Sequence, residues 1–257
     1  VAGIPLYIVH KRRLFQKNVC INTIIPRDNR ENKFVLGGDF LRRIISVLLL
    51  ALIVAAIFAP QAAFATSVNK KIIVIDAGHG GWDPGKVGKN NEEEKTINLA
   101  IAEDLQMLLE LGGAMVFMTR GDDMALADRK NADLLARSAM PSDMQAHIFI
   151  SIHQNAFPQE SVKGAQVFYY TGSEASEKLA DAIQGRIRSY LDENNRKETK
   201  ADKNYLLLRE TKTPAVIVEC GFLTNNEDLR RLMQQDYQEK VAWAIYLGVL
   251  DYFANAQ

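Results

Sequence analysis

His79 sits in KKIIVIDAGHGGWDPGKVG, where the apolar run Ile72 to Ile75 ends in Asp76 and gives way to a loop dense in glycine. His153 ends the apolar run in HIFISIHQNA, and Glu219 closes another in TPAVIVECGF. In a sheet covered by helices, ligands bind beyond the carboxyl ends of the strands. Three groups able to hold a metal or move a proton therefore fall where such chemistry is expected. Helical phase supplies a fourth. In NNEEEKTINLAIAEDLQMLLE the stripe Ile97, Ile101, Leu105, Leu108 recurs at helical spacing. At roughly 100° per residue, Glu94 falls within that stripe, Glu93 lies about 100° off it and Glu92 points away. Acids in a first turn ordinarily offset the helix dipole, which accounts for Glu92 and Glu93. An inward Glu94 needs a partner.

Two imidazoles and a carboxylate leave a tetrahedral Zn²⁺ with one open position for water, the ligand set of a hydrolytic site. His79, Glu94 and His153 are the metal-ligand candidates, for one zinc per chain, and Glu219 is the acid–base candidate. Glycines around His79 let the backbone turn sharply and keep a metal reachable by a bulky substrate. His147 alternates onto the face of His153 but lies roughly 20 Å along the strand, too far to share one ion. It is read as a surface residue, and His10 has no role. Two cysteines, Cys20 and Cys220, are too few for a disulfide framework or a thiolate zinc cluster. The four candidates are far apart in the chain, unlike the compact H-E-x-x-H pattern. Spacing alone leaves open that they are unrelated polar residues at loop starts.

The elements that must position these side chains alternate. Strands are predicted at 71–76, 114–119, 147–152, 165–170, 205–208 and 215–219, and helices at 94–111, 124–139, 173–194, 226–235 and 236–254. That order predicts one α/β domain: a twisted, mostly parallel or mixed sheet of about six strands with helices on both faces. A chain of 257 residues, 47% hydrophobic and 24% charged, can bury one good core. Its formal net charge is zero, so no global basic field favours nucleic acid. A monomeric catalytic domain is expected.

Residues 66–257 are expected to be that domain. Ahead of them Arg42 and Arg43 precede the apolar run IISVLLLALIVAAIF, and Ala63-Phe64-Ala65 fits a small-x-small cleavage site. Together these read as a secretory signal peptide over 41–65; an uncleaved anchor needs roughly 20 apolar residues. Residues 1–40 show no periodicity and include the polar stretch PRDNRENK. Gly37-Gly38 can be encoded GGAGGT, a ribosome-binding sequence, with Leu41 as a TTG start. The leader 1–40 is therefore read as untranslated, the alternative being a cytoplasmic leader before an internal anchor. Secreted protein is expected to begin at Thr66.

Four motifs in order, IVIDAGHGGWDPGKVG, EKTINLAIA, ISIHQNA and PAVIVECGFLTN, resemble the zinc-dependent N-acetylmuramoyl-L-alanine amidases across essentially all of residues 71–254. The resemblance implies that the histidine of the GHGG loop, the glutamate of the EK pair and the histidine of SIH bind zinc. It implies that the glutamate of VExGF is catalytic. These fall on His79, Glu94, His153 and Glu219. The implied reaction cleaves the amide joining the lactyl group of N-acetylmuramic acid to L-alanine of the peptidoglycan stem peptide. By the same resemblance Arg209, in YLLLRET, is similar to a position beside the groove that can meet a peptide carboxylate, the default for an exposed arginine being solvent. Asn155 can orient His153 from behind. Departures are Ala77 where proline is usual, Gln154 where alanine is common, Thr224 for serine, and Ala139-Met140 where an Ala-Asn pair is usual.

Some members plug the zinc site with an inhibitory helix after the SIH motif. Here only AFPQESVKG separates Asn155 from Ala165, too little for a plug. Short and without wall-binding repeats, the chain is most similar to the germination-specific amidases of spore formers. That implies export to the cell wall or the forespore intermembrane space, action on cortex peptidoglycan and, in some relatives, a lipoprotein partner. A vegetative autolysin is the runner-up. A zinc carboxypeptidase or a peptidoglycan-binding pseudoenzyme is the alternative of a different class. No paired cationic clamp is legible for the first, and all four chemistry-bearing residues are present against the second.

Overall fold

The structure, a computed structural model, describes residues 38–58 and 66–255. The chain divides into two units, 1–61 and 62–257. In the first, the apolar run lies within α1 (Gly38–Phe58). Among the described residues no helix is long and apolar enough to cross a membrane. His10, Cys20, most of the leader and the Ala63-Phe64-Ala65 site lie outside the described residues.

In the second unit the chain runs β1 (Ile72–Ala77), α2 (Glu94–Leu111), β2 (Met115–Met118), α3 (Lys130–Asp143), β3 (Ile148–Asn155), β4 (Gln166–Tyr170) and α4 (Glu174–Tyr190). It continues through β5 (Lys200–Asp202), α5 (Leu206–Glu210), β6 (Ala215–Phe222), α6 (Asn226–Leu232) and α7 (Gln235–Asn255). The six strands lie in the order β2-β1-β3-β6-β4-β5. All pairs are parallel except β4 with β6. Alternation along each strand sends side chains to opposite faces. Ile73, Ile75, Ile150 and Val218 share one core with Ile101, Leu105, Ile183 and Val249 from α2, α4 and α7. Val74, Phe149 and Ile217 share the other with Leu207 and Leu208 of α5, against which Leu134 of α3 packs. Helices thus cover both faces, as the alternating pattern predicts.

The strand predicted at 205–208 is instead the start of α5. Leu206-Leu207-Leu208 is too short a run for periodicity to separate helix from strand. Asp202 Oδ1 accepts from the Asn204 N–H at 2.6 Å and turns the chain out of β5. The sixth strand is β5 itself, three residues too polar to signal a strand. Helix α3 begins at Lys130, not at 124. The residues before it serve a neighbouring loop: Leu126 N–H donates to Asp133 Oδ1 at 2.7 Å, and Ala127 O accepts from the Trp82 indole at 2.9 Å. In α2 the buried stripe ends on Leu109, with Leu108 only half-buried.

A buried ion pair ties β1 to α3. Asp76 is fully buried and Arg137 nearly so, with Arg137 Nη1 2.7 Å from Asp76 Oδ1. Thr119 and Ser151 donate hydroxyls to the same carboxylate at 2.7 and 2.6 Å. Burial would raise the Asp76 carboxyl, but the Arg137 charge and these donors hold it below its usual range. Removing one partner of such a pair strands the other charge. Arg137→Met is expected to cost about 3–5 kcal/mol of stability, measured by urea unfolding. Asp76→Asn in the same chain should restore part of it, and an Arg137→Met protein as stable as wild type would refute the account.

Candidate active site

His79 leaves β1 with φ at 63°, a left-handed conformation that a non-glycine residue keeps only when its surroundings hold it. Here Arg137 Nη2 donates to His79 O at 2.7 Å. Arg120 Nη2 and Asn98 Nδ2 donate to Gly78 O at 3.0 and 3.1 Å. The imidazole Nδ1 lies 2.8 Å from Asp83 Oδ2. A carboxylate only accepts, so a proton on Nδ1 satisfies Asp83 and leaves Nε2 as the nitrogen able to bind a metal.

Glu94 opens α2 and is 2% exposed. Its Oε2 accepts from the Lys86 N–H at 2.8 Å and lies 3.2 Å from His79 Nε2. Its Oε1 accepts from the Gln154 N–H at 3.0 Å and lies 2.9 Å from His153 Nδ1. Burial alone would raise this carboxyl; His153 and His79 outweigh it and hold Glu94 far below the carboxylate range. By contrast Glu93 is half exposed beside Lys95, and Glu92 accepts from its own turn at Asn90. His79, Glu94 and His153 each present one ligand atom, all within 4.8 Å of one another. This group could hold a metal ion. Two glycines let the backbone pass behind it. A side chain at Gly78 would run into the His153 ring, and one at Gly85 would start 2.5 Å from Glu94 Oε2.

Glu219 stands opposite His153 in the β3–β6 register. Its Oε2 is buried with no hydrogen-bond partner among the described residues, and its Oε1 lies 3.5 Å from the Tyr205 hydroxyl. Burial pushes the Glu219 carboxyl up to about 7, against the pull of His153. Beside it a cavity of about 550 Å³ is walled by Asn155, Phe157, Phe168, Lys197, Lys200 and Tyr205, among others. Asn155 therefore reaches the groove, although its Oδ1 accepts from the Ala156 N–H. Arg209 is exposed on α5 and pairs with Glu210 at 3.0 Å. His147 is exposed at the start of β3, where Nδ1 accepts from the Ile72 N–H.

The described chain matches the N-acetylmuramoyl-L-alanine amidase family over residues 73–251. It belongs to that family. The germination-specific N-acetylmuramoyl-L-alanine amidase of Bacillus subtilis (strain 168) is 39% identical over 196 residues, 73% of this chain and 82% of the relative. The solved CwlD amidase of Clostridioides difficile, in complex with the GerS lipoprotein, is 39% identical with a TM-score of 0.69, over 72% of this chain and 100% of that one. AmiC2 of Nostoc punctiforme is 31% identical with a TM-score of 0.64, over 72% of this chain and 98% of that one. The protein is thus an N-acetylmuramoyl-L-alanine amidase acting on peptidoglycan.

Two of the amidase's departures from its family pattern have local structural roles. Gln154 is buried and donates Nε2 to Asn98 Oδ1 at 3.2 Å, and Thr224 Oγ1 accepts from the Phe157 N–H. Several residues around the site were not found by sequence reasoning. Asp83 could have been, since a carboxylate four residues after a loop histidine is a ring-orienting arrangement. Asp133 and Arg137 are spaced i, i+4, but nothing in the sequence reveals that they face inward. Tyr205 carries no sequence signal, because it adjoins the three-leucine run that fits a strand as well as a helix.

Proposed function

We propose that the amidase is a zinc enzyme that removes stem peptides from spore-cortex peptidoglycan, with His79, Glu94 and His153 as ligands and Glu219 as the acid–base. One observation carries the reading. Three nitrogen and oxygen donors converge within 4.8 Å beside a buried carboxylate whose Oε2 has no partner among the described residues. The donor set suits Zn²⁺ and too few thiols compete for it. Zinc held there would supply Lewis-acid chemistry for the lactyl carbonyl and for activating the attacking water.

The chain's own residues do the rest. Asp83 keeps the His79 proton on Nδ1 and so directs Nε2 inward. Glu94 is fixed by the Lys86 and Gln154 amides, which leaves its geometry independent of substrate. Glu219, raised by burial, can accept a proton from the attacking water and return it to the departing alanine nitrogen. Arg137 and Arg120 hold the loop that carries His79.

The cortex role draws on the 39% identity to the germination-specific relative. A lipoprotein partner draws on the CwlD complex with GerS. Export of a domain starting at Thr66 belongs to the same reading, and N-terminal sequencing of secreted protein checks it. Muropeptide mass spectrometry tests the function itself. Digested cortex peptidoglycan should release whole stem peptides and leave bare muramic acid residues. Release of single amino acids would instead mark a carboxypeptidase, and no release a binding protein.

A further inference from the structure

We propose that Lys197 and Lys200 form a carboxylate-binding subsite for the second residue of the stem peptide. Peptides whose second residue keeps its carboxylate free are then preferred. The subsite takes its orientation from the active-site reading above, since Glu219 marks where the scissile amide lies.

Both lysines line the cavity beside Glu219. Lys197 Nζ lies 5.0 Å from the Phe222 ring centroid and Lys200 Nζ 5.5 Å from that of Phe168. Both rings are almost fully buried, so they act as rigid platforms for the cations. Lys197 is held through its backbone. Its N–H donates to Asn195 Oδ1 at 3.0 Å, and buried Asn195 in turn donates to Ala165 O at 2.8 Å. Lys200 opens β5, in register with Phe168.

Neither ammonium forms an ion pair among the described residues, in contrast to two lysines across the groove. On the opposite flank Lys89 pairs with Glu160 at 2.9 Å, and Lys163 pairs with Glu227 at 2.6 Å. The cavity's own acid, Asp202, accepts from the Asn204 N–H. Two unmatched cations on aromatic platforms call for an anion.

Peptidoglycan offers one. Its glycan is neutral, while its stem peptide carries carboxylates, so the cationic flank suits the peptide side of the scissile amide. The distances agree. From Glu219 on β6, across β4 to β5, is two strand spacings, and Lys200 is level with Ile217, two residues along, so the backbones lie about 12 Å apart. A carboxylate on the second residue lies about 7–8 Å from the first residue's nitrogen by ordinary backbone dimensions. A lysine side chain covers the difference.

The test uses paired N-acetylmuramoyl tripeptides, identical except for a free carboxylate or a carboxamide on the second residue. Wild-type enzyme should prefer the free acid by about tenfold in kcat/KM, mostly through KM, as befits a charge-assisted contact. In Lys197→Met/Lys200→Met the ratio should fall toward one, and Lys197→Arg/Lys200→Arg should keep most of it. No preference in wild type, or an unaltered preference in the methionine double variant, overturns the proposal. Calorimetry with the free tripeptide and its carboxamide reads the same preference without turnover. If no muropeptide is cleaved, the active-site reading fails, while the calorimetric comparison still decides for or against the lysines.

Discussion

Glu219→Gln should leave roughly one zinc per chain in place and reduce activity by about 10²–10⁴-fold, or about 2.7–5.5 kcal/mol in the barrier. Glutamine keeps the shape and the buried position but cannot accept a proton. The side chain sits on the central strand β6 with an oxygen that has no partner among the described residues, so the substitution breaks no ion pair seen among them. Metal analysis beside turnover of a muropeptide reads both halves. Zinc loss in this variant would make Glu219 a ligand and undo the division of labour proposed here.

Glu94→Ala should abolish activity and strip the metal, while Glu92→Ala and Glu93→Ala stay near wild type. The contrast rests on three adjacent, chemically identical side chains in different surroundings. Glu94 is 2% exposed and lies against both imidazoles. Glu93 is 42% exposed at its side chain, 3.5 Å from Lys95 Nζ, a surface pair contributing about 0–1 kcal/mol. Alanine at 94 also strands the Lys86 and Gln154 amides, at about 1–3 kcal/mol each. Glu94→Gln, which keeps the shape, therefore separates metal loss from instability. Zinc retained at wild-type affinity in both variants would exclude Glu94 as a ligand, and damage at Glu93 equal to that at Glu94 would do the same for the helix phase.

Much of the scaffold was legible because burial imposes a period. Ile72–Ala77, Ile148–Asn155 and Ala215–Phe222 announce themselves as runs that a sheet covered on both faces must contain. Their carboxyl ends place His79, His153 and Glu219 on one edge of the sheet. Helical phase separated Glu94 from its neighbours for the same reason, since only one of three consecutive acids can face the sheet. Where the period is lost, so was the assignment. Three leucines at 206–208 fit either element, and β5 is three residues long, too few for any pattern.

What the sequence by itself determined is the α/β order, the strand ends and the inward turn of Glu94, because each follows from local periodicity and hydrophobic burial. Only the tertiary structure decided how those ends meet. It brought Tyr205 beside Glu219, and Arg137 from a helix 61 positions away onto Asp76. It also set Lys197 and Lys200 around one cavity. These are long-range encounters between polar side chains. Their positions depend on strand register and helix docking, and no local propensity encodes them.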